Sequence, residues 1–138
     1  MVRVTAFCFD TDILSWVIRP HPPNDLVRRI GLRHLDEQLT TAVSAAELLY
    51  GVARDANERR SEQVRAMLSS FRVAPFDVAA AKIFGPLRAE LEREGQRLDQ
   101  ADLMIASICL ARDLTLVTGN VRHLARVPGL RVENWLES

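Results

Sequence analysis

Lysine is almost missing from this chain: Lys82 stands alone among 18 basic residues, the others being arginine. Charge of one sign is missing too. Lys and Arg balance Asp and Glu at 18 each, so a general polyanion binder of the histone type is excluded. Cysteine is scarce, and Cys8 and Cys109 each sit inside an apolar segment. They read as small core residues of a protein in a reducing cytoplasm, not as a disulfide. No apolar run approaches the ~20 residues of a membrane span. The N-terminal run is broken by Asp10 too early for a signal peptide. His21, His34 and His123 are scattered without zinc spacing or an HExxH pattern. No Gly-rich loop ends in Gly-Lys-Ser/Thr, no GxGxxG follows a strand, and there is no GxSxG elbow. P-loop, dinucleotide, zinc-hydrolase and serine-hydrolase chemistry are therefore set aside.

What is present is an ordinary globular composition, 48% hydrophobic and 26% charged over 138 residues, enough for one domain spanning 1–138. Neither a repeat nor a low-complexity tract interrupts it. Val2–Phe9 reads as a buried strand, followed by a helix from about Thr11 to Ile18. Prolines 20, 22 and 23 make a turn, and a short helix from about Asp25 to Leu35 follows. Leu39–Val43 is a second strand. Ser44 then opens a helix to about Ala53, with Ser44 and Glu47 fitting a capping box. Arg59–Phe71 has helical spacing, and Arg72–Phe76 is a short strand that tolerates Pro75 best at an edge. Asp77 caps a long helix to about Glu94, kinked at Gly85-Pro86 and ended by Gly95. Asp99 caps the helix Gln100–Arg112. Leu114–Thr118 is an apolar, central strand. Val121–Ala125 is a short helix and Leu130–Val132 a last edge strand. Such alternation specifies a three-layer α/β/α domain around a mostly parallel sheet.

Four polar residues end apolar runs where helices begin: Asp10, Glu47, Asp102 and Asn120. In an open parallel sheet the carboxyl ends of the strands face one crevice, where ligands bind. Each residue has a structural alternative. Asp10 or Asp12 could cap a helix, Glu47 could complete the capping box, Asp102 lies in a first turn where the helix dipole favours acids, and Asn120 could cap the helix from Val121. Capping explains each residue but not their shared location. Carboxylates gathered without Lys or Arg repel one another unless a cation lies among them, and hard oxygen ligands select Mg²⁺ or Mn²⁺. Asp10-Thr11-Asp12 after an apolar strand also mimics the haloacid-dehalogenase-like phosphatases. That chemistry wants a downstream lysine and a later acidic pair, and Lys82 lies mid-helix away from any site residue.

At these residues the chain resembles the PIN-domain ribonucleases, and specifically the VapC toxins of VapBC toxin–antitoxin modules. The resemblance is carried by FDTDILS (9–15), VSAAELLYG (43–51), GQRLDQADLMIASICLA (95–111) and LTLVTGNVRHLARVPGLRVENW (114–135), in that order. It implies Asp10, Glu47 and Asp102 as acidic ligands, with Thr118 and Asn120 at the mouth of the site. Many family members carry a fourth acid where this chain has Asn120, so a second metal ion would be held less firmly; Asp12 and Asp99 are extra acids.

The implied activity is a Mg²⁺-dependent endoribonuclease, with Mn²⁺ a substitute, acting as the toxin of a type II pair. A metal-activated water would attack phosphorus in line and leave 5′-phosphate and 3′-hydroxyl ends. The implied partners are an RNA substrate, a VapB-like antitoxin and a second copy of the chain in a homodimer. An antitoxin segment would cover an apolar face near Leu14, Trp16 and Leu48–Tyr50. Arg97, Arg122 and Arg126 are first candidates for holding RNA, although a solvated surface role fits each equally. Two other readings stand beside this one: a non-cleaving PIN-like domain that binds RNA or a partner, and a nuclease acting on another nucleic acid.

Overall fold

The structure is a computed structural model and describes residues 6–136. The expected first strand therefore lies partly outside the described residues, which show β1 as Phe7–Phe9. There follow α1 (Thr11–Val17), α2 (Asn24–Gly31), β2 (Gln38–Thr41), α3 (Ala42–Arg54), α4 (Glu58–Ser70), β3 (Arg72–Ala74) and α5 (Val78–Arg93). The chain continues through α6 (Gln100–Arg112), β4 (Thr115–Val117), α7 (Val121–Leu124) and β5 (Val132–Glu133). The strands lie in the order β3-β2-β1-β4-β5, and every neighbouring pair is parallel. The sheet expected to be mostly parallel is wholly so. Its centre is β1 beside β4, with Phe9 opposite Val117.

Side chains alternate across each strand, and helices cover both faces of the sheet. Cys8, Leu39 and Leu116 face Leu87 and Leu91 of α5 and Leu103, Ala106 and Cys109 of α6. On the other face, Phe7, Phe9 and Val117 pack against residues of α1 to α4, including Leu14, Leu48 and Val64. Trp135 closes that layer. It is fully buried, its ring centroid 4.9 Å from Phe7 and 5.4 Å from Phe9, with its indole N–H donated to Glu133 at 3.0 Å. Cys8 and Cys109 are free and buried, as the sequence suggested. Among the described residues no helix is long and apolar enough to cross a membrane.

Several boundaries differ from expectation for identifiable reasons. Helix α3 starts at Ala42, because Thr41, not Ser44, is its N-cap: the Thr41 hydroxyl accepts the Ser44 N–H at 3.0 Å. Helix α2 stops at Gly31, a poor helix former. The buried Gln38 amide then donates to the carbonyls of Ile30, Arg33 and His34, each at 3.2 Å, and a 3₁₀ turn at Leu35–Glu37 leads into β2. Strand β3 is an edge, as foreseen, and ends before Pro75. Helix α5 runs unbroken through Pro86. Pro86 and Lys82 are both exposed, so the carbonyl deprived of its donor has water to bond. Gly95 follows that helix with φ 69°, and the Gln96 N–H reaches back to the Leu91 carbonyl at 2.8 Å.

Candidate functional site

Asp10 is the first residue beyond β1, and the parallel ladder carries on past it: its N–H bonds the Val117 carbonyl at 2.9 Å. That bond sets Asp10 beside the end of β4. The carboxylate is 6% exposed and held at both oxygens. One oxygen accepts the Thr11 N–H at 2.7 Å and the other the Thr118 hydroxyl at 2.8 Å. The Thr118 hydroxyl in turn accepts the Asn120 N–H at 3.0 Å. From the β2 side, the buried Thr40 hydroxyl donates to the Phe9 carbonyl at 2.9 Å, fixing the peptide that leads into Asp10. Asp10 thus does cap α1, and it also stands at the carboxyl edge.

Glu47 reaches the same edge from α3. With Thr41 as N-cap, Glu47 lies in the second turn and plays no part in capping. Its exposed carboxylate instead accepts the Thr11 hydroxyl at 2.6 Å, one residue from Asp10. Asp102 lies in the first turn of α6, half-buried. Asp99 occupies the N-cap position without a side-chain cap bond, and Asn120 precedes α7 in the same unbonded way, so capping by either side chain is absent. Asp12 accepts the Gly119 N–H at 2.9 Å through one oxygen, while the other is buried with no hydrogen-bond partner. A Cβ at Gly119 would come within 2.6 Å of the Asp12 Oδ2, so glycine is what lets the segment after β4 approach the start of α1.

Electrostatics at this edge run in one direction. Burial lifts the Asp102 carboxyl to about 6, helped by the charges of Asp10, Asp99, Glu47 and Asp12. Burial also raises Asp10, opposed by the Thr118 hydrogen bond and reinforced by Asp12. Asp12 is raised by burial against its bond from Gly119. Among the described residues no Lys or Arg is ion-paired with Asp10, Asp12, Glu47 or Asp102. The donor set is all oxygen, negative and short of counter-charge, the chemistry a hard divalent cation satisfies. It is no ready-made cage: among the described residues no three His, Cys, Asp or Glu side chains are grouped tightly enough to enclose an ion. An open set suits Mg²⁺, which takes one or two carboxylates and keeps several waters.

Other expectations fare differently. Leu14 and Leu48 are core residues, so they cannot form the apolar docking face assigned to them; of that group Tyr50 is 65% exposed and Trp16 only partly buried. Arg97, Arg122, Arg126 and His123 are exposed. Sequence reading passed over Thr11 and Thr40, whose hydroxyls hold Glu47 and the Asp10 peptide, and the clamp of Asp12 on Gly119. The available signal was a Thr-Thr pair, polar yet placed in a strand.

A wholly parallel α/β/α sheet with acids drawn to its carboxyl edge defines a class. The PIN domain family matches residues 7–130, and the chain belongs to it. Within the family the similarity runs to VapC proteins. The chain is 34% identical over 133 residues to "Ribonuclease VapC2" of Rickettsia felis, covering 94% of this chain and 97% of that protein. It is 33% identical over 130 residues to "tRNA(fMet)-specific endonuclease VapC" of Salmonella typhimurium, covering 94% and 97%. Its fold is similar to that in the solved structure of DNA-bound VapBC from Salmonella typhimurium, with TM-score 0.88, 32% identity and coverage of 96% and 99%.

Proposed function

We propose that this chain is a divalent-cation-dependent endoribonuclease and the toxin of a toxin–antitoxin pair. The reading is supported by Asp10 being fixed by Thr118, by Glu47 accepting from Thr11 next to Asp10, and by Asp102 lying near enough to feel the charges of both. The names of relatives agree: proteins called ribonuclease and endonuclease VapC share about a third of its residues over nearly its whole length. Solved structures of similar fold are VapBC and FitAcB complexes, which supports a VapB-like antitoxin as partner. A homodimer is part of the same proposal.

Asp10 and Asp102 would hold Mg²⁺ or Mn²⁺, with Glu47 joining directly or through water. Bound there, the ion would supply Lewis acidity to the phosphate oxygens and lower the pKa of a water. The chain's own residues supply orientation. Thr118 and the Thr11 N–H fix both Asp10 oxygens, so the carboxylate cannot swing when substrate arrives. Thr11 holds Glu47 in register with it. Asn120 offers a neutral oxygen and N–H donors at the edge, suited to orienting a phosphate rather than to holding charge.

The test is hydrolysis of RNA by the purified chain with Mg²⁺, with EDTA, and in the variants Asp10→Asn and Asp102→Asn. Cleavage that EDTA abolishes, that each variant abolishes while remaining folded, and that leaves 5′-phosphate ends is the expected result. An equally active, folded Asp10→Asn/Asp102→Asn protein refutes the reading, and RNA binding with no cleavage in Mg²⁺ would replace it with a non-cleaving PIN-like domain. Asn120→Ala should harm cleavage less than either acid variant.

A further inference from the structure

Beside the acids, between α1, α3 and α4, lies a groove of about 470 Å³. Thr11 and Glu47 line one end of it, so it opens directly onto the acidic edge. Its other charged lining is mainly arginine: Arg19, Arg54 and Arg60, with Asp55 the remaining acid. A second hollow of about 260 Å³ shares Ile18, Asn57 and Arg60 with it and adds Arg59 and Gln63. The two make one trough leading away from Glu47 along the start of α4.

We propose that this trough is the track for the ribose–phosphate backbone of single-stranded RNA next to the cleavage site, with Arg19, Arg54 and Arg60 holding its phosphates. The proposal rests on the ribonuclease reading above and extends it to how an acidic site receives a polyanion. Two of the arginines are already posed. The Arg19 guanidinium lies 3.9 Å from the Trp16 ring centroid. Arg54 is held by Asp55 at 3.1 Å, with its guanidinium 5.6 Å from the ring of the exposed Tyr50. Little side-chain entropy is then left to lose when a phosphate arrives. Arg19, Arg59 and Arg60 have no carboxylate partner among the described residues. Trp16 and Tyr50 stand behind these arginines and not in the lining itself, so the trough offers a single strand phosphate contacts first, with aromatic rings close by. A separate hollow lined by Val17, Pro22, Leu26, Val27 and Ile30 is apolar throughout and has no arginine to offer a phosphate. The trough has apolar residues too, Ile18, Leu48, Val52 and Val64, but Leu48, Val52 and Val64 are buried and its charged lining is mainly arginine.

The experiment is fluorescence anisotropy of a fluorescein-labelled single-stranded RNA of about 12 nucleotides, within the usual span of such grooves. It is titrated with the full chain in EDTA, so that binding is read without cleavage. Arg19→Glu/Arg60→Glu should weaken binding at least about tenfold and flatten the salt dependence by roughly 0.7 for each phosphate no longer neutralised. Arg93→Glu, in the opposite helical layer, should change neither. Arg19→Gln/Arg60→Gln, with circular dichroism to check folding, should give a smaller loss in the same direction. Wild-type affinity and salt slope in the charge-reversed protein would overturn the proposal, as would a wild-type chain that binds no RNA. So would a variant that binds and cuts RNA normally yet escapes suppression by a co-expressed antitoxin, which would assign the trough to protein. If the wild-type chain binds RNA through these arginines but never cleaves it in Mg²⁺, the track stands and the ribonuclease reading falls.

Discussion

Replacing Asp102 by Asn should make the metal-free protein more stable, although it removes a residue placed at the centre of the site. Burial and the charges of Asp10, Asp99, Glu47 and Asp12 raise this carboxyl from 3.8 to about 6. Between those two values the folded chain keeps a proton that the unfolded chain has released. Stability therefore falls as pH rises through that window, and the penalty is complete above it. The interval converts to about 3 kcal/mol. Asp102 is only half-buried, and solvent screening reduces the figure to about 1 kcal/mol. Thermal unfolding in EDTA near pH 8 should accordingly show Asp102→Asn melting about 3–4 °C above wild type. Near pH 4, where the wild-type carboxyl is itself largely protonated, the gap should close. Saturating Mg²⁺ should reverse the order, because only the wild type gains binding energy from its full ligand set. A variant that melts at or below wild type in EDTA near pH 8 would refute the claim that burial and neighbouring charge together disfavour this carboxylate.

Two further substitutions probe the framework behind the acids. Thr118→Val removes the buried hydroxyl that donates to Asp10 and should cost about 1.5–3 kcal/mol in urea unfolding, with RNA cleavage falling alongside; an unchanged unfolding midpoint would show that the bond contributes nothing. Gly119→Ala places a methyl group 2.6 Å from the Asp12 carboxylate and should cost about 1–3 kcal/mol. Most of that loss should disappear when measured on an Asp12→Ala background, and additive losses in the double-mutant cycle would sink the assignment of the clash to this pair.

The fold was legible because its strands are short apolar runs separated by helical patterns, and this alternation admits few topologies. Asp10 and Asp102 were legible for the same reason, standing where a run ends or a helix begins. Ser44 misled because Thr41 is as good a cap, and nothing local decides between two hydroxyls three residues apart. The consequence was that Glu47 looked like a capping partner when it is free to face the site. The Thr40 and Thr11 hydroxyls were invisible as positioning groups, since their partners lie on other elements. Leu14 was assigned to a docking face because periodicity marks an apolar side chain without saying which neighbour buries it. Arg19, Arg54 and Arg60 come from three separate segments, so no sequence pattern joins them; Arg97, Arg122 and Arg126 attracted notice only by standing near the motifs.

β1 is the earliest strand of the described chain, yet it occupies the middle of the sheet, and one of its two neighbours is β4. Trp135, which covers Phe7 and Phe9, comes later still. A ribosome-bound fragment ending before these segments lacks one neighbour of its central strand, the Trp135 contact of both rings and the Thr118 partner of Asp10. The acidic edge is consequently completed only once β4 and the Trp135 segment join the fold, and a fragment lacking them carries Asp10 and Glu47 without the contacts that align Asp10.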